Sequence, residues 1–175
     1  MTTIDSPVWA DNPRLTAWLA AQRRAFPVWA EENGGGWDFA PASLDRLEAL
    51  VRDRFTSWEA VHEAREEQLL EVAAWYLGET LVRHCGVVWR CSPVPPPPEQ
   101  PAGGYPLVTY ARGDLGAYER EVLAELEELD EYSIPLLDPA GRIRSLFAAP
   151  DSRLRESIGR FDRFQAWRRS VAAGS

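Results

Sequence analysis

Histidines, cysteines and spaced carboxylates are the residues of this chain that could do chemistry. The run His62-Glu63-Ala64-Arg65-Glu66 invites comparison with the zinc metalloprotease helix. That helix needs a second histidine four residues after the first, so that two imidazoles meet one metal. Glu66 stands there instead, and no metal site is expected. His84, Cys85 and Cys91 are close enough in sequence to bring a thiol near an imidazole. A cysteine nucleophile also needs a lowered pKa and a third group to orient the histidine, and no residue is identified for that role. Both cysteines read as small apolar fillers, one at a helix end and one on a strand. Glu71 and Glu79 lie about 12 Å apart along a helix at 1.5 Å per residue, too far for a glycosidase pair. Glu79 stands beside Gly78 and four residues before Arg83. It reads either as a helix-face ion pair or as a partly buried carboxylate anchoring a ligand or the adjoining strand. No catalytic residue and no cofactor is expected.

Composition narrows the classes further. The 19 basic residues are all arginine, which excludes Schiff-base chemistry and the lysine of a phosphate-binding loop. A formal charge of -8 repels polyanions, so nucleic acid is not an expected partner and a basic protein is. The segment Met1 to Asp11 has no positively charged stretch leading into an apolar run, and no apolar stretch reaches membrane-spanning length. A cytoplasmic protein with free thiols and no membrane partner is expected. At 175 residues with 45% apolar composition, a single domain is expected, residues 1–11 and 171–175 forming loose ends.

The elements that must position these residues follow from periodicity. Asn12-Pro13 starts a helix carrying Leu15, Trp18, Leu19, Gln22 and Phe26, which Pro27 should kink or end. Ser43 caps a second, amphipathic helix. A third is predicted from Ser57 or Trp58 to Cys85, with Gly86 as its C-cap. From Leu69 to Val82 it is apolar on nearly every side, and Glu71, Trp75, Glu79 and Arg83 form its one polar stripe. Gly78 points to close approach of another backbone. Val87–Cys91 and Leu107–Tyr110 should pair as a hairpin across a proline-rich loop, residues 92–105, held in extended polyproline form and turning at Gly103-Gly104. An isolated hairpin is marginal in water, so a third strand is expected, with Ile143 to Phe147 a candidate.

Asp114 to Glu131 reads as a helix with Leu115, Tyr118, Val122, Leu126 and Leu129 inward and a strongly acidic outer face. From Arg142 onward arginines outnumber acids along a last amphipathic helix bearing Leu154, Ile158, Phe161, Phe164 and Trp167. Trp37 and Trp58 flank element boundaries and are the tryptophans expected at an interface.

The block Ala74-Trp75-Tyr76-Leu77-Gly78-Glu79-Thr80-Leu81, then Gly86, Trp89 and Pro106-Leu107-Val108, resembles a pattern in uncharacterised small-protein families abundant in actinobacteria, some of which look like immunity proteins of toxin systems. The resemblance covers roughly Leu69 to Leu115. It implies an α+β fold and a binding role and transfers no catalytic residue. The expectation is therefore a mainly helical α+β domain with a small antiparallel hairpin or sheet on the central helix, acting as a non-enzymatic protein-binding module through the acidic Glu119 to Glu131 face, with Glu125, Glu127 and Glu128 as contact residues. The alternative is a small-molecule binder or enzyme whose pocket lies between central helix and hairpin, using Trp75, Glu79, Arg83, His84 and Cys85.

Overall fold

The Asn12 side chain starts the first long helix by accepting the Leu15 amide at 3.1 Å, and Pro13 supplies the preset φ of a first turn. In the computed structural model, which describes residues 3–100 and 104–174, a one-turn helix α1 (Pro7–Ala10) precedes this long helix α2 (Pro13–Glu32). Residues 7–11, expected to be loose, are tied down. Cys91 N donates to Trp9 O at 2.9 Å, and Asn12 Nδ2 donates to Val8 O and Cys91 O. Met1, Thr2 and Ser175 lie outside the described residues. Pro27 does not end α2. Pro27 and Arg23 are exposed, so the carbonyl deprived of its donor lies on the solvent side, while Phe26 and Trp29 hold the inner side against Trp75 and Tyr76.

Helix α3 (Ser43–Arg54) buries Leu44, Leu47 and Val51. The expected continuous third helix is two: α4 (Trp58–Glu63) and α5 (Gln68–Cys85). The break has a local cause, because the His62 carbonyl is taken by the Arg65 amide and by Arg65 Nη1 at 3.0 Å, which closes α4. Residues 72–81 of α5 are all buried, so this helix is the axis of the core, and Gly86 ends it at φ 73°.

Three strands, β1 (Val88–Arg90), β2 (Leu107–Thr109) and β3 (Leu136–Leu137), form an antiparallel sheet in that order, pairing Trp89 with Val108 and Val108 with Leu137. The third strand is therefore not Ile143 to Phe147. Asp138 and Pro139 start a helix there: the Asp138 carboxylate accepts the Gly141 amide at 3.0 Å, giving helix α7 (Pro139–Ser145) after helix α6 (Ala117–Glu128). The proline loop is not uniformly extended, since Gln100 N donates back to Pro97 O. The turn expected at Gly103 falls outside the described residues.

Helix α7 and helix α8 (Glu156–Ala173) complete the chain. The inner face of α6 is rotated from expectation. Leu115 and Leu123 are buried, Glu119 points inward to Arg168 at 2.9 Å, and Tyr118 and Leu129 face out. The whole is the mainly helical α+β architecture that the sequence pattern predicts.

Candidate functional site

Helix α5 carries Trp75, Glu79, Arg83, His84 and Cys85 along its length. Trp75 is buried against Phe26 and Phe39, at ring separations of 5.2 and 5.7 Å. Glu79 is 8% exposed and accepts the Trp89 indole N–H at 2.9 Å, while Arg83 approaches it at 3.8 Å. Both readings of this carboxylate are realised, and the bond to β1 is the shorter. The Arg83 guanidinium lies 3.7 Å above the Phe39 ring, and His84 is exposed. Cys85 is buried, and burial, with the negative charge of Asp162 adding to it, pushes its thiol up to about 11. A thiol held this far into its neutral form is no nucleophile at neutral pH. Of the five, Glu79 and Arg83 meet each other, and none lines the clefts described below. Among the described residues, no group of three His, Cys, Asp or Glu side chains is placed to hold a metal ion.

Gly78 makes the Glu79 contact possible. The Trp89 ring lies where a Cβ on residue 78 would stand, so the close approach expected at this glycine is by an indole and not by a backbone.

The outer side of α6 is a second candidate. Tyr118, Glu121, Glu125, Glu128 and Leu129 follow the three- and four-residue steps of one helix stripe. All five are exposed, Tyr118 at 47% and Leu129 at 66%. Among the described residues, Glu121, Glu125 and Glu128 make no ion pair. Glu127 differs, because Arg112 binds it at 2.6 Å. Past the helix end an open groove of about 510 Å³ continues the surface between Glu127, Asp130 and Glu131 on one side and Arg160 and Arg163 on the other.

A cleft of about 350 Å³ opens at the other end of the central helix, between the start of α2, the α4–α5 turn and the proline loop. Trp18, Glu66, Glu71, Pro96, Tyr105 and Pro106 line it, and a narrow recess behind it continues to Arg65 and Arg144. Burial raises the Glu71 pKa, assisted by the charge of Glu66 and opposed by the Gln22 hydrogen bond and the Trp18 indole. Arg65 Nε is buried there without a hydrogen-bond partner, and the buried Trp18 indole N–H faces the Glu71 carboxylate without reaching ordinary hydrogen-bond geometry. The loop flank is fixed by Arg14, whose guanidinium donates to the carbonyls of Ser92, Val94 and Gly104.

Sequence reasoning named Glu71 and Trp18 but as helix-stripe residues, and passed over Arg14 and Tyr105. The one legible signal is Glu71 itself, a carboxylate at the start of a largely apolar helix. Its neighbours in space come from residues 53 and 34 positions away in the chain, which no local pattern brings together. Of the tryptophans expected at an interface, Trp58 is exposed at 42% and Trp37 is buried, with its indole N–H on Asn33 O and the Arg46 guanidinium over its ring. No helix among the described residues is long and apolar enough to cross a membrane. No protein-family model, curated protein or solved structure matches the chain.

Proposed function

We propose that the protein is a non-enzymatic binding module that takes a basic protein partner on the outer stripe of α6, in an immunity-type or regulatory role. The observation that carries this reading is the stripe itself: three unpaired carboxylates bracketed by exposed Tyr118 and Leu129. Unpaired surface carboxylates steer a cationic partner and set its register. Aromatic and apolar residues among them supply contact area that loses water on binding. The charge of -8 extends the same field over the molecule.

The alternative site at the end of α5 gives an enzyme little to work with. Glu79 is occupied by Trp89 and Arg83, and the Cys85 thiol is held neutral. Affinity capture from the native cell tests the proposal, comparing wild type with a variant in which Glu121, Glu125 and Glu128 are glutamine. The expected result is a basic protein held by wild type and released by the variant. A partner retained equally by both forms, or no partner for wild type, overturns it.

A further inference from the structure

The cleft between α2, the α4–α5 turn and the proline loop presents an ionisable group in need of a partner. Glu71 Oε2 takes the Gln22 amide at 3.4 Å and the Trp18 indole N–H faces the same carboxylate, but no arginine or histidine among the described residues is within ion-pair distance of it. The neighbouring cations are engaged elsewhere. Arg14 is spent on three loop carbonyls, Arg65 reaches His62 O and Glu66, and Arg144 faces Asp138 at 3.9 Å and lies over one face of the Tyr105 ring at 5.5 Å. The remaining walls are two aromatic rings, Trp18 and Tyr105, two proline rings, Pro96 and Pro106, and the backbone of Gly104 beside Cys91, whose thiol burial keeps neutral.

We propose that this cleft binds an organic cation, an ammonium or guanidinium on a short apolar stem, with its charge on Glu71 and its stem against Trp18 and Tyr105. Carboxylate and aromatic faces together are what such a cation needs: the first supplies charge-assisted hydrogen bonds, the second the negative face of a π system. Glu66, exposed at the rim, adds a second negative charge on the entry path. The site is independent of the α6 stripe. Its cation comes either as a free amine or as the basic side chain of a peptide.

Because burial raises the Glu71 pKa, binding weakens as pH falls through that raised range. The other charged groups facing Glu71 are Glu66 and Arg65 from the α4–α5 turn, Arg14 from α2 and Arg144 from α7. The Tyr105 phenol, itself pushed up by burial, stays neutral throughout.

Calorimetric titration of the full chain tests the proposal with butylammonium, butylguanidinium and the peptide Gly-Arg-Gly-amide, against butanol and butyrate as neutral and anionic controls. Saturable binding of the cations with Kd near or below about 1 mM is expected, with no saturation by butanol or butyrate. Glu71→Gln should weaken the cations about tenfold or more, Glu66→Gln by less, and the Glu71→Gln thermal midpoint should not fall. A tighter peptide than either free cation identifies a side chain as the natural ligand, and the reverse a free amine. Equal binding of butanol or butyrate, unchanged affinity in a folded Glu71→Gln protein, or no saturation by any cation overturns the proposal.

Discussion

The indole ring of Trp89 fills the space that a side chain on Gly78 would occupy, and its N–H closes on the carboxylate of the next residue, Glu79, at 2.9 Å. Strand β1 is thus docked on the central helix through a glycine notch and one hydrogen bond. The ring cannot retreat easily, since Trp18 meets it edge-on at 5.4 Å. Gly78→Ala should therefore destabilise the protein by about 1–3 kcal/mol through overpacking, although alanine gains about 1 kcal/mol of helix propensity. Denaturant unfolding measures it. A more stable variant would mean that the notch is not filled as described.

Glu48 joins α3 to the entry of α8. It is buried at 7% exposure, receives Arg52 at 2.9 Å and Arg153 at 3.3 Å, and accepts the buried Leu154 amide at 3.0 Å. Glu48→Ala leaves that amide without an acceptor and should cost about 2–3 kcal/mol in the same unfolding assay. A cost within experimental error of zero would remove Glu48 as the link.

Cys85 should resist alkylation in the folded state. With its thiol pushed up to about 11, the thiolate fraction at neutral pH is on the order of 10⁻⁴. Iodoacetamide labelling read by mass spectrometry should modify Cys85 in denaturant and leave it intact in buffer. Rapid labelling of the native protein would restore Cys85 as a candidate nucleophile.

Glu119 carries a predictable pH dependence. The Arg168 guanidinium holds its carboxyl below the usual glutamate range, aided by the Gly116 amide and opposed by burial. A depressed folded pKa means that the contribution to stability is complete above the unfolded value and fades as pH falls through the lower, folded one. Unfolding midpoints between about pH 5 and pH 2 should fall less steeply in Glu119→Gln than in wild type. Parallel curves would show that the pair does not couple folding to protonation.

Where local patterns decide structure, the sequence was readable. Asn12-Pro13, Gly86 and the largely apolar Leu69 to Val82 run place the α2 start, the α5 end and the core axis, because each acts through its nearest neighbours. Asp138-Pro139 was equally local and should have marked α7 in place of a strand. The failures elsewhere come from contacts distant in sequence. Arg168 draws Glu119 inward and so rotates α6, turning Tyr118 and Leu129 out. Glu79 was singled out for the right physical reason, a carboxylate in apolar surroundings, but its partner is an indole on the next strand. The Glu71 cleft was illegible because the Arg14 guanidinium shapes it by gripping a loop some 80 residues later in the chain.

Amide hydrogen exchange on the complex with the captured partner tests the binding role most directly. Exchange should slow over 117–129 relative to the free protein, with little change at Arg83, His84 and Cys85. Protection confined to the end of α5, with α6 exchanging as in the free chain, would contradict the assignment of the α6 stripe as the binding face.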